Sequence, residues 1–208
     1  MVSTRIILVR HGQPVADTSG RCYGRLDVAL SPHGLAQAHA IAGQLADEPL
    51  VAVYASPRRR ASETATAVAA PHGITVGLHD NLCEIDFGDF EGRTYDEIAT
   101  QYPDLYRRWM ERPTTVEFPS GETFTDLRNR AVRALDEILR THAGSTVAIV
   151  SHGGVCRAII ASALQMPDEA IFRLDQPYCA CTTIDWLDGT PVLRAMAGEP
   201  VVATSTGR

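Results

Sequence analysis

Two short apolar runs constrain this chain more than anything else in it: Arg5-Ile6-Ile7-Leu8-Val9 and Thr146-Val147-Ala148-Ile149-Val150. A strand that is apolar at consecutive positions cannot leave one face to water, so both runs read as parallel strands covered on two sides, the pattern of an α/β sheet. Each run empties into a histidine followed by glycine, as Arg10-His11-Gly12 and as Ser151-His152-Gly153-Gly154. The carboxyl ends of such strands are where α/β sheets bind ligands, and glycine there lets the backbone turn sharply beside an approaching group. A third run, Val51-Ala52-Val53-Tyr54, leads into Ser56-Pro57-Arg58-Arg59-Arg60-Ala61 at the start of a helical pattern. Taken singly, each histidine reads equally well as a hydrogen-bonded structural residue. Two of them at strand ends, with arginine forks and a helix N-terminus nearby, suit a phosphate-like oxyanion. The three consecutive arginines cannot all face one site, and Arg58 and Arg59 read as solvated surface.

The rest of the chain completes the same architecture. Helical patterns run from 32 to about 47, onward from Pro57, from 122 to about 142 and from 153 to about 165. In the third of these, Phe124, Leu127, Ala131, Ala134, Leu135, Ile138 and Leu139 fall at helical spacing and read as core. Further strands are expected near 75–78, 180–187 and 192–196, the last two joined by a turn at Asp188-Gly189. The expected fold is a three-layer α/β/α sandwich with a mostly parallel mixed sheet. With 208 residues and 45% hydrophobic content, the chain is expected to form one domain over 1–208, with a small cap-like insertion at about 92–119. The small, polar tail 199–208 is expected to fray.

Composition narrows the chemistry. All nineteen basic residues are arginine, because the chain has no lysine. That excludes a Walker lysine, a Schiff-base lysine and a lysine general base. The net charge of -6 argues against a nucleic-acid partner. Cys22, Cys83, Cys156, Cys179 and Cys181 are odd in number and lack disulfide or zinc spacing, so they read as reduced thiols with no metal. With no leader-like segment and no apolar run of membrane-spanning length, the expectation is a cytoplasmic protein without a membrane partner. Nothing in the sequence decides between a monomer and a homodimer.

Four motifs in order, Arg10-His11-Gly12, Ser56-Pro57-x-x-Arg60-Ala61-x-x-Thr64-Ala65, Glu84 within Leu82-Cys83-Glu84-Ile85-Asp86-Phe87-Gly88, and Ser151-His152-Gly153-Gly154, resemble the histidine phosphatase superfamily. The phosphoglycerate-mutase-like branch is the nearest likeness, and it spans about 5–187. The resemblance implies His11 as a nucleophile that forms a phosphohistidine and Glu84 as the proton donor. It also implies Arg10, Arg60, Gly153 and a protonated His152 around the phosphate, with no cofactor or metal. By residue type alone Glu84 is one of a dense acidic group with Asp80, Asp86, Asp89 and Glu91, and Asp86 is the fallback acid. Cys22-Tyr23-Gly24-Arg25-Leu26-Asp27 resembles a substrate loop of the superfamily, which places Tyr23 and Gly24 at the substrate, and Pro14 with Gly20-x-Cys22-Tyr23-Gly24 resembles alpha-ribazole phosphatases.

The implied activity is a metal-independent phosphomonoesterase acting on a small phosphorylated metabolite. A cofactor-dependent phosphoglycerate mutase and a noncatalytic phosphate-binding regulatory domain are the alternatives. Against the mutase, Arg107-Arg108 precede Trp109, whereas the mutase arginine pair follows the corresponding tryptophan, and the stretch between Glu84 and His152 is short. A serine hydrolase built on Ser56 or Ser151 lacks a Gly-x-Ser-x-Gly elbow. The loops 13–30 and 92–119 are expected to form the mouth of the site. Tyr95, Tyr102, Tyr106 and Trp109 there fit either packing of the insertion or ligand stacking.

Overall fold

The computed structural model describes residues 2–15, 20–200 and 202. Its centre is strand β1 (Ser3–Arg10), whose Ile6, Ile7, Leu8 and Val9 are all buried. Alternate side chains point to opposite faces, so Ile6 and Leu8 enter one apolar cluster and Ile7 and Val9 the other. The Ile7/Val9 face is covered by α1 (Pro32–Leu45) and α2 (Arg59–Ala69), through Ile41, Leu45, Ala65 and Val68. The Ile6/Leu8 face is covered by α5 (Phe124–Thr141) and α6 (Gly153–Ala163), through Leu127, Ile138, Val155 and Ile159. Burying each such aliphatic side chain contributes about 1.5–3 kcal/mol. The three layers expected from the sequence are present.

Strands β2 (Leu50–Ala55), β3 (Val76–Leu78), β4 (Thr146–Ser151), β5 (Cys181–Leu187) and β6 (Thr190–Ala197) complete one sheet in the order β3-β2-β4-β1-β5-β6. The pairings β3-β2, β2-β4 and β4-β1 are parallel, and β1-β5 and β5-β6 are antiparallel. β1 and β4 run side by side with Arg10 opposite Ser151, which brings both His-Gly turns to one sheet edge.

The stretch 92–119 contains α3 (Tyr95–Gln101), opened by a Thr94/Glu97 capping box, and α4 (Pro103–Glu111), opened by proline. Trp109 lies among Phe87, Phe90, Tyr95, Tyr106 and Phe118, with ring centroids 5.3–6.4 Å away. The aromatic residues therefore do pack the insertion against the body. Two boundaries differ from the sequence reading. α2 starts at Arg59 rather than Pro57, because Arg58 is extended and donates its N–H to Ser56 Oγ at 3.3 Å. In the tail, Glu199 is tied to α1 through Gln37 and His33, whereas 201 and 203–208 lie outside the described residues. Among the described residues no helix is long and apolar enough to cross a membrane.

Candidate active site

His11 sits directly after β1 and is only 2% exposed. Its Nδ1 lies 2.7 Å from the carbonyl oxygen of Gly12. A carbonyl can only accept, so Nδ1 carries the hydrogen and the neutral ring keeps its lone pair on Nε2. Among the described residues Nε2 has no hydrogen-bond partner. Burial, then Arg60 and Arg10, hold the His11 pKa well below its ordinary value, because each disfavours a second positive charge in the pocket. The turn itself is fixed by the Gly12 N–H, which donates to Thr64 Oγ1 at 3.1 Å.

His152 caps α6 and is fully buried, its ring centroid 5.1 Å from that of His11. Its Nε2 is 2.8 Å from Ser56 Oγ, and its Nδ1 is buried without a partner among the described residues. Burial, Arg60, His11 and Arg10 all depress its pKa. The two neighbouring arginines and His11 thus disfavour the protonated His152 that the resemblance implies. The Ser56–His152 pair also disposes of the serine-hydrolase alternative. Among the described residues no carboxylate orients His152 Nδ1, and Ser56 is itself completely buried. Ser151 Oγ is likewise spent, donating to the Leu82 carbonyl at 2.7 Å.

Arg10 donates Nη1 to the Gln176 carbonyl at 2.5 Å and lies 4.2 Å over the Tyr178 ring. Arg60, with no exposed surface, donates to the carbonyls of Leu26 and Gly24, both at 2.8 Å. Each keeps a buried Nε without a partner, a donor available to an anion. Arg59 points away and pairs with Glu63 at 3.1 Å. With Cys22, Tyr23, Glu84 and three other residues, His11, Arg10 and Arg60 line an inner cavity of about 150 Å³. At ~30 Å³ per water, that holds a phosphoryl group and little more. The Cys22 thiol does not compete as nucleophile, since burial and Glu91 push its pKa up to about 12.

Glu84 lines this inner cavity and also a second one of about 820 Å³ that opens beside it. Its Oε2 accepts from the Gly154 N–H at 3.0 Å and its Oε1 from the Ile85 N–H at 2.9 Å. Gly154 is glycine because a Cβ there would lie 2.4 Å from Glu84 Oε1. Arg130, from α5, donates to the carbonyls of Asn81, Cys83 and Glu84 and twice to Glu122, fixing the backbone on both sides of the acid. The fallback acid Asp86 lines neither cavity. It pairs with Arg25 at 2.9 Å and accepts from the Gly88 N–H.

Tyr23 stands beside the phosphate-sized cavity, 5.2 Å from the Arg60 guanidinium, and its hydroxyl meets that of Tyr178 at 3.0 Å. Burial and that hydrogen bond raise its pKa. Gly24 is occupied by protein contacts. Its N–H donates to Glu91, its carbonyl accepts from Arg60, and it lines neither cavity. It must be glycine because a Cβ would fall 1.8 Å from the Ile85 carbonyl oxygen. Gly153 lies in the wall of the outer cavity rather than the inner one. Sequence reasoning missed Tyr178, whose ring stands 5.7 Å from His11, as well as Arg130 and Arg157. Tyr178 had one usable signal, an aromatic placed just before the strand that pairs with β1.

The model of the histidine phosphatase superfamily (branch 1) matches residues 6–198. The chain belongs to that superfamily. This histidine phosphatase is 37% identical over 160 residues to phosphoserine phosphatase 1 of Hydrogenobacter thermophilus, covering 77% of this chain and 76% of the relative. It is 38% identical over 162 residues to the metal-independent phosphoserine phosphatase of Arabidopsis thaliana, covering 75% and 67%. The solved structure of Bacillus stearothermophilus YhfR matches at a TM-score of 0.86 and 31% identity over 91% of this chain and 95% of that one. The alpha-ribazole phosphatase of Shigella flexneri matches at 0.85 and 26% over 97% and 100%. In this company the histidine phosphatase is a phosphoric monoester hydrolase.

Proposed function

We propose that this chain hydrolyses a small phosphomonoester through a phosphohistidine on His11 Nε2, without a metal. The observation that carries the reading is the convergence of His11, Arg10, Arg60 and Glu84 on one phosphate-sized cavity. His11 Nε2 attacks phosphorus in line, the P–O bond to the leaving group breaks, and a proton from Glu84 goes to the departing oxygen. Arg10 and Arg60 stabilise the charge on the equatorial oxygens. An arriving phosphoryl dianion favours a protonated His152, which then has Nδ1–H to offer while Nε2–H stays on Ser56. Water next attacks the phosphohistidine, Glu84 takes its proton, and phosphate leaves. Because Glu84 stands where the two cavities join, the phosphoryl group occupies the inner one and the leaving group the outer one.

Isomerisation of a phosphoglycerate is the weaker reading. Arg107, Arg108 and Arg112 of the insertion are exposed and line neither cavity, so no arginine pair from that segment holds a carboxylate. Rapid acid and alkaline quenching of enzyme mixed with labelled substrate tests the proposal. Acid-labile, base-stable label on His11 is expected, and label on serine or aspartate overturns it. With 3-phosphoglycerate and 2,3-bisphosphoglycerate, phosphate release is expected to exceed isomerisation; the reverse restores the mutase.

A further inference from the structure

Arg157 is a half-buried cation for which the mechanism has no use. It lies one turn into α6 and in the wall of the outer cavity, where the only other arginine is Arg10. A side-chain carbon placed on Gly153 would lie 3.0 Å from Arg157 Nη1 and 3.5 Å from Arg10 Cζ, so the two guanidinium groups bracket that glycine. Arg157 donates Nε to the Leu174 carbonyl at 3.0 Å and stands 5.5 Å from the Phe172 ring. Two residues further on, the Gln176 carbonyl holds Arg10, so one backbone stretch fixes both forks. No carboxylate among the described residues pairs with Arg157, and its two terminal nitrogens carry no hydrogen bond among them. Glu84, Glu111 and Glu169 also line this cavity; the last two are exposed, and none of the three reaches ion-pair distance of Arg157. Burial, then Arg10, work against its charge, while Glu84 and Asp175 favour it from beyond ion-pair distance, and the net effect is a lowered pKa. Two like charges held together in a partly dry wall are unfavourable unless an anion completes the arrangement.

We infer that Arg157 binds a second anionic group of the substrate, so that the preferred phosphomonoesters carry a carboxylate a few bonds from the ester oxygen. The inference rests on the phosphohistidine reading, which puts the phosphoryl group on Arg10 and the leaving group in the outer cavity. The carboxylate sits on the Arg157 fork, one glycine away from the phosphate-binding arginine. The remaining wall, with Phe87, Tyr106, Trp109 and Phe118, meets the carbon skeleton. No covalent step is added; Arg157 is a specificity residue.

Pairs of phosphomonoesters differing only at that group test it: O-phosphoserine against O-phosphoethanolamine, and 3-phosphoglycerate against glycerol 3-phosphate. The wild-type enzyme is expected to favour the carboxylate member of each pair by ~30-fold or more in kcat/KM, the scale of a charge-assisted bidentate contact. Arg157→Met is expected to shrink that preference to below ~3-fold, with kcat/KM for O-phosphoethanolamine nearly unchanged, which also shows that the variant folds. Arg157→Lys, which keeps the charge but not the fork, should fall between. The inference is overturned if the wild type shows no carboxylate preference, or if Arg157→Met loses equally on both members of a pair. Either result leaves the phosphohistidine reading intact as long as His11 still carries the label; label elsewhere defeats the reading itself.

Discussion

The inner and outer cavities meet at Glu84 yet are built in different ways. The inner one is lined by residues fixed by backbone carbonyls, His11 by that of Gly12 and Arg60 by two in the loop 24–26, with His152 held by Ser56 behind the His11 ring. The outer one is walled largely by side chains of the insertion, of α6 and of the segment 169–172, most of them apolar. The first can stabilise one charge distribution and tolerates little change. The second can vary its walls without moving the reacting atoms, which separates catalysis from choice of substrate.

The sharpest way to break this division is at Arg60. Arg60→Ala removes a buried donor to the phosphoryl oxygens and two anchors of the loop 24–26, and kcat is expected to fall ~10²–10³-fold. Arg59→Ala, one residue away but paired outward with Glu63, should stay within about twofold. Equal losses at the two positions would mean that the inner cavity is not set apart by its arginines.

Arg130 comes next, because it lines neither cavity and holds the backbone around Glu84. Arg130→Met is expected to cost ~10–100-fold on alkyl phosphates, whose leaving oxygen needs a proton, and much less on p-nitrophenyl phosphate, whose leaving group does not. Glu84→Gln should show the same leaving-group dependence, more strongly. Loss of activity independent of leaving group in Arg130→Met, with the pattern intact in Glu84→Gln, would make Arg130 merely structural.

A pH titration probes the same cavity more gently. His11 and His152 both have lowered pKa values, so their rings keep the neutral form further into acid than an ordinary histidine. At pH 5.5 a histidine with a pKa of ~6.5 is about 90% protonated. Imidazole nitrogen shifts in the ligand-free enzyme should instead report both rings as mainly neutral. Inorganic phosphate should raise the His152 value by supplying the missing anion. A His152 that titrates near 6.5 without phosphate would show that the inner cavity is less dry than its burial implies.

The smallest effect is expected in the outer wall. Phe172 is 58% exposed and touches the site only at its rim. Phe172→Ala should raise KM by ~3-fold through lost apolar contact while kcat stays constant. A fall in kcat instead would tie the outer wall to the chemical step.

Arg10 and the two histidines were legible in the sequence because they sit at the ends of apolar runs. Those runs announce themselves as buried strands, and the residue immediately after a buried strand lies at the sheet edge. His11, Arg10 and His152 are all of this kind. Glu84 was legible only through its resemblance to a family motif, since an acidic loop carries no local sign of which carboxylate faces inward. Arg157 and Arg130 look like ordinary helical arginines, and their distinction is tertiary. Arg157 has no acid at ion-pair distance among the described residues, whereas Arg130 finds three carbonyls on a loop more than forty residues away. Gly24 went the other way. Its small size makes room for the Ile85 carbonyl, a contact visible only once the two loops are seen together.

The pairing of Arg10 with Ser151 across β1 and β4 has a consequence for how such an enzyme can be altered. The residues after those two partners are His11 and His152, so the spacing of the two rings is dictated by a hydrogen-bond ladder, which allows only whole-residue steps. Nearly all of the chain between them, including the insertion and its aromatic walls, is a detour that returns to the same rung. Lengthening, shortening or grafting the insertion within that detour therefore leaves the reacting geometry at its starting value, provided the ladder, Arg60 with its loop and the Glu84 loop are kept. An engineer seeking a new substrate would edit 92–119 and leave the strand ends alone.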